Sequence, residues 1–266
     1  MLVIDCANCL TKCWTTPRAT HASISSPVSR ALLYALVAAC GNVLGALAVT
    51  RRARLELEVI EHLLAFGAGF MLSVAMIELL PEAFLRSGAL APVLVLGGYL
   101  AVHLTQHTIT PHFHFGEETH SISAVAGTSA LVGLLLHTFF DGVAIASAFL
   151  VRPELGFMVF IAIFLHKLPE GVTISSIMMA GGRTVGGAVG AAALLGLATL
   201  VGVILTDQVS FLVQHGLAIA AGVTIYVAAS NLVPELQGKH GWTMPAAFFA
   251  GTALFFLTKT LVDGLS

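Results

Sequence analysis

The sequence predicts an all-α integral membrane protein of eight transmembrane helices built on inverted repeats. Three observations carry this prediction. First, the 266-residue chain is 57% hydrophobic and only 10% charged, with a mean hydropathy of +0.94. A soluble domain carries about 25% charged residues, so there is too little charge here to coat a globule. Second, the apolar residues fall in long runs, and a membrane span needs about 20 of them. Third, two stretches that contain polar residues rare inside membranes each occur twice. The balance of 12 Lys and Arg against 14 Asp and Glu is close to neutral, which argues against a nucleic-acid surface.

Taken in order, the predicted spans are 28–50, 59–81, 88–109, 122–151, 156–180, 184–206, 210–236 and 243–263. They use most of the chain, so a single membrane domain with short loops is expected over 28–266, preceded by a tail over 1–27. No basic segment followed by an apolar one precedes residue 28, so no cleavable signal peptide is expected. The tail holds Cys6, Cys9 and Cys13. A structural metal site needs a fourth ligand, for which His21 is the nearby candidate, and the expectation is a flexible tail. Cys40, within an apolar run, reads as a small buried residue.

Orientation follows from Lys and Arg in the loops. Arg51, Arg52 and Arg54 follow the first span, Arg183 the fifth and Lys239 the seventh. On the other side lie Lys12, Arg18, Arg86 and Arg152, with Arg30 near the start of the first span. The bias favours a cytoplasmic 51–58 loop and both termini outside the cytoplasm.

The first repeat is HTFFDGVAIAS from His137 against HKLPEGVTISS from His166. The second is GFMLSVAMIELLPE from Gly69 against GVTIYVAASNLVPE from Gly222. In the predicted topology the two members of each pair run in opposite directions. Inverted repeats of this kind are a signature of secondary transporters, whose sites lie near the midplane at the repeat interface.

The chemistry sits in the first repeat. His137 and Asp141 are four residues apart and share a helix face, as do His166 and Glu170. Facing each other, they form a two-His, two-carboxylate shell suited to Zn²⁺ or Fe²⁺, with carboxylates also suiting manganese. A carboxylate at the bilayer centre costs about 2.5–3.5 kcal/mol or more, and a dication is the obvious compensation. Gly142 and Gly171 follow the carboxylates and allow close helix approach. Pro169 frees the carbonyl of Leu165 and predicts a kink. Helix-to-helix hydrogen bonding and a bis-histidine haem site are the alternatives, but haem gives no reason for a carboxylate one turn after each histidine. An HExxH protease motif is absent.

These residues resemble the ZIP (Zrt/Irt-like) divalent metal transporter family. HTFFDG looks like that family's fourth-helix motif and HKLPEG like its fifth; ELLPEA at 78–83 and YVAASNLVPEL at 226–236 resemble its second and seventh helices. The resemblance covers about residues 28–265. It implies eight helices arranged three, two, three, outside termini, dimers in many members, and metal import towards the cytoplasm. The metal is often zinc, in some members iron, manganese or cadmium. It also implies that His137, Asp141, His166 and Glu170 hold the transported ion. Many members build a second site from an Asn and an acid after the two histidines. Here those positions are Thr138 and Lys167, and an ammonium has no lone pair for a metal. Lys167, paired with Glu170 or Asp141, is therefore expected to replace the second ion, leaving one metal per site; the alternative is that it snorkels to water. Thr199 stands where some members carry a sixth-helix acid, and Asn231 replaces the acid that Glu78 supplies in the partner repeat.

Glu78 and Glu82 are expected at the pathway entrance, with Asn231 and Glu235 at the exit; ordinary interfacial charge is the competing reading. A His-rich segment over about 103–121, placed in the cytoplasm, holds His103, His107, His112, His114 and His120 with Glu117 and Glu118. It is a candidate to receive or sense exiting metal. The expected protein is thus a divalent metal transporter of the cell membrane, not an enzyme, with no cofactor beyond the transported ion. Its expected partners are metal, the lipid bilayer and a second copy of itself. The rivals are an integral-membrane metalloenzyme, which would need an open metal position and a distinct general base, and a haem-binding electron carrier.

Overall fold

The computed structural model describes residues 26–50, 57–108, 124–233 and 241–264, and among these it is helical with no strand. The helices are α1 (Pro27–Thr50), α2 (Leu57–Val74), α3 (Leu80–Ser87), α4 (Ala91–Thr108), α5 (Ala124–Val151), α6 (Pro153–Ala180), α7 (Val185–Gln208), α8 (Ser210–Ile225) and α9 (Thr243–Asp263). Among the described residues, seven helical stretches are long and apolar enough to cross a membrane. One of them, 58–106, is 49 residues long. At 1.5 Å per residue that is about 74 Å, more than twice the hydrocarbon thickness of about 30 Å. The stretch is broken at Gly88, whose φ of 53° and ψ of −129° are open only to glycine.

Large apolar side chains such as Leu33, Leu85, Val93, Leu197 and Phe249 point outward, while the interior mixes many alanines with large residues such as Phe70, Leu155, Tyr226 and Phe255. Exposed large apolar side chains suit a lipid solvent, where helices associate by close packing of small residues. Cys40 also lies on the outside, against the expectation of a buried residue: Ala38, Ala39 and Gly41 supply the inward face of α1.

The second repeat shows why its two stretches match. Each contains a π-helical segment, Ala75–Leu79 in one and Tyr226–Leu232 in the other. The Leu80 N–H reaches back to the Ala75 carbonyl, and the Val233 N–H to that of Ala228. Pro81 explains the first widened turn. It has no N–H to donate to Ile77, and its ring would strike that carbonyl in a regular helix. The helix does not stop at 81 as predicted: Pro81 opens the first turn of α3, where its missing donor is tolerated, and the helix continues to Ser87. Pro169, in contrast, lies inside an α6 that stays continuous from Pro153 to Ala180.

The tightest helix crossings come in matched sets. A methyl group on Gly69 would overlap the carbonyl of Phe248, and one on Gly222 that of Val95. Reciprocally, Gly251 sits on Phe66 and Gly98 on Ile219. Every residue of the α2–α9 crossing thus has its counterpart, at one fixed sequence offset, in the α8–α4 crossing. The other pair matches residue for residue as well, with one offset between α5 and α6 and another between α1 and α7: Gly171 on Asn42 and Gly45 on Leu168 tie α6 to α1, while Gly142 on Thr199 and Gly202 on Phe139 tie α5 to α7. Two helix groups result, one of α1, α5, α6 and α7, the other of α2, α4, α8 and α9, meeting mainly through α5–α8 and α2–α6.

Candidate metal centre

His137 and Asp141 lie on α5, and His166 and Glu170 on α6, all four buried. Each offers one ligand atom to a cluster whose members lie within 4.8 Å of one another. Asp141 Oδ2 is central, 3.5 Å from His137 Nε2 and 3.4 Å from His166 Nε2. Four ligands around zinc at 2.0–2.1 Å would stand about 3.3–3.4 Å apart, so these two edges already have the required length. The set fits a divalent cation chemically as well. His166 Nδ1 lies 3.1 Å from the Ala162 carbonyl. A carbonyl only accepts, so Nδ1 carries a proton, which fixes the ring with Nε2 facing Asp141, the edge from which it would hold an ion. Glu170 Oε1 and His137 Nδ1 are buried without a hydrogen-bond partner. The imidazole centroids are 5.5 Å apart with a carboxylate oxygen between them, so no plane is left for a haem macrocycle.

The glycines after the two carboxylates bring in a third and fourth helix. Gly171 admits α1 at Asn42 and Gly142 admits α7 at Thr199, both fully buried. With its amide nitrogen turned to face acceptors, Asn42 donates to the Lys167 carbonyl (2.5 Å) and to Glu170 Oε2 (3.2 Å). Asn42 escaped the sequence reading. Its signal was a lone amide in the apolar run ACGNVLG of α1. The Thr199 hydroxyl bonds back to the Leu195 carbonyl of its own helix (3.4 Å). Thr138 is likewise buried and bonds back to Leu135 (3.1 Å).

Lys167 is fully buried and does not snorkel to water. Its Nζ donates to Asp141 Oδ2 at 2.6 Å and to Glu170 Oε2 at 2.8 Å, lengths typical of charge-assisted bonds. One ammonium thus cross-links the two carboxylates of the cluster.

The remaining candidates lie elsewhere. Glu78 is buried in the first π segment with both oxygens engaged: Oε2 by Arg152 at 2.5 Å and Oε1 by Lys259, which also contacts Asp263 at 3.1 Å. Glu82 lies 3.6 Å from Arg86. These three acids and three bases sum to no net charge. Asn231 is partly buried in the second π segment, beside Ser230, whose hydroxyl bonds Tyr99 at 2.8 Å. The His-rich segment is not all loop, because α4 runs to Thr108 and takes in His103 and His107. The exposed His103 ring stacks on Tyr99 and meets Tyr226 edge-on. His112, His114, Glu117, Glu118, His120 and Glu235, with Cys6, Cys9 and Cys13, lie outside the described residues.

A family model described as "ZIP Zinc transporter" matches residues 114–259. Zinc transporter foi of Drosophila melanogaster is 32% identical over 153 residues, covering 53% of this chain and 21% of its own length. Zinc transporter ZIP6 of Homo sapiens is 29% identical over 171 residues, covering 58% and 22%. Zinc transporter GufA of Myxococcus xanthus is 31% identical over 188 residues, covering 64% of this chain and 71% of its own. The chain therefore spans about a fifth of the first two relatives and most of the third.

Proposed function

Because the chain belongs to the ZIP zinc transporter family and is a multi-pass membrane protein, we propose that it carries a divalent metal ion, zinc first, across the cell membrane into the cytoplasm. The observation that carries the reading is the buried cluster of His137, Asp141, His166 and Glu170, whose ligand atoms already lie within 4.8 Å of one another. The family likeness points to transport rather than to an enzyme. Iron, manganese and cadmium have ligand preferences that overlap those of zinc and stand as secondary substrates.

In this reading the stretch 58–106 crosses twice, giving eight spans in a three, two, three arrangement with both termini outside the cytoplasm. The matched glycine crossings support it, because α1, α2 and α4 answer α7, α8 and α9, while α5 answers α6. The ion passes from water to two neutral imidazole nitrogens and two carboxylates. Transport proceeds by alternating access as one helix group moves against the other. Lys167 occupies the position of a second cation, so one ion binds per chain. Glu82 and Asn231 mark the two ends of the path. Glu78, neutralised by Arg152 and Lys259, holds helices together at its end rather than attracting metal. The His-rich segment after α4 receives or senses exiting ion.

The test is uptake of a panel of divalent metals into proteoliposomes, with binding stoichiometry measured alongside. Wild type is expected to take up zinc and bind one ion per chain. His166→Ala and Glu170→Ala are each expected to weaken binding more than about 100-fold, beyond what loss of an outer-shell partner costs. A wild-type protein that moves no metal would refute the reading, and two ions per chain would refute the single site.

A further inference from the structure

We propose that Lys167 is a tethered counter-ion that keeps the net charge of the site equally small with and without its metal, allowing the carrier to close loaded or empty. The inference rests on the transport reading above and deepens it.

At Glu170 the lysine and an ion can face different oxygens, whereas at Asp141 the lysine holds Oδ2, the oxygen that also faces both imidazoles. On Glu170, Oε2 is taken by Lys167 at 2.8 Å and by the Asn42 amide at 3.2 Å. Oε1 is buried with no hydrogen-bond partner. The lysine and a metal therefore address different oxygens of that carboxylate, and the ammonium can stay when an ion arrives. It is also confined: Lys167 is fully buried, and its second bond, 2.6 Å to Asp141 Oδ2, ties α6 to α5.

The charges can then be counted. Asp141 and Glu170 contribute two negative charges, and imidazoles counted in the neutral form that metal ligation requires contribute none. With Lys167 the site carries one negative charge when empty and one positive charge when it holds a dication. Without the lysine it would carry two negative charges when empty and none when loaded. The self-energy of a buried charge grows as its square, so the lysine lowers the worse of the two closed states about fourfold. Loaded closure becomes somewhat harder and empty closure much easier. A carrier that must return empty in every cycle is limited by the worse state, so the trade favours net transport.

A lysine that merely cross-linked two helices would affect loaded and empty steps alike. Two fluxes separate the cases. Zinc–zinc isotope exchange uses only loaded closures, whereas net uptake into metal-free vesicles requires the empty return. For Lys167→Thr at saturating zinc, the readout is the ratio of net uptake to exchange, each measured against wild type. Net uptake is expected to fall on the order of 10- to 100-fold further than exchange does. The repeat supplies a second variant, because Thr138 is the counterpart of Lys167 and is equally buried. The swap T138K/K167T restores the charge from the other helix and is expected to return the ratio of net uptake to exchange towards wild type. If the single variant does not fold, the swap alone decides: a near-native ratio supports the proposal and a ratio lowered tenfold or more overturns it. Parallel loss of both fluxes in Lys167→Thr, or unimpaired net uptake, also overturns it. Wild-type protein showing neither flux would overturn the transport reading instead.

Discussion

Replacing Gly171 by alanine tests the close approach on which the buried His–carboxylate cluster is built. A β-carbon there would overlap the Asn42 carbonyl and stand 2.8 Å from Asn42 Cα. Carbon atoms settle at about 3.5–4.0 Å, so α1 and α6 must part by about 1 Å. The Asn42–Glu170 hydrogen bond, now 3.2 Å, would then exceed about 4 Å and be lost. Overpacking costs about 1–3 kcal/mol and the lost bond to a charged group about 1.5 kcal/mol or more, together about 2.5–4.5 kcal/mol. A chain of this size loses about 2–4 °C per kcal/mol, so a fall in Tm of about 5–18 °C is expected in detergent. The control is Gly190→Ala on α7, where nothing lies within 4 Å of the added methyl. There the better helix propensity of alanine should raise stability slightly, by about 0.5–1 kcal/mol. Equal Tm shifts for the two variants would refute the close crossing and the position of Asn42 with it.

Glu78→Gln leaves Arg152 and Lys259 facing an amide. Both cations keep partial contact with solvent, so the expected loss is about 1–3 kcal/mol rather than the 3–5 typical of a fully buried pair, read as a lower Tm with zinc stoichiometry unchanged. Asn42→Ala should weaken zinc binding by about 10-fold, the usual effect of removing a partner behind a ligand, and titration calorimetry should still return one ion per chain. Deleting residues 112–120 should leave zinc uptake by vesicles largely intact while changing its dependence on cytoplasmic-side metal; complete loss of uptake would count against a merely regulatory role.

The doubled His–carboxylate pattern was fully legible in the sequence, because residues four apart on a helix share a face whatever surrounds them. The helical class was legible for a similarly local reason: apolar runs of this length in lipid must satisfy their backbone within the helix. The two π segments were visible only as a repeat that ended in Pro-Glu. The widened turn depends on where the proline's missing bond falls, which hydropathy does not encode. Asn42 was missed because a single amide carries no period and no motif, and its importance comes from Gly171 on another helix. Glu78 looked like a negative charge near a helix end until Arg152 and Lys259, distant in sequence, were found on its two oxygens.

The sequence by itself therefore determined the class of the protein, the residue types of the buried cluster and the pairing of its two halves, all set by spacing along single helices. Tertiary structure decided the rest. It set which oxygens of Glu170 are engaged and which is left open, that Lys167 is enclosed between two carboxylates, and that glycines on α5 and α6 admit α7 and α1 to the site. Those facts depend on distances between helices, and such distances follow from how closely whole surfaces pack, not from the order of residues on any one of them.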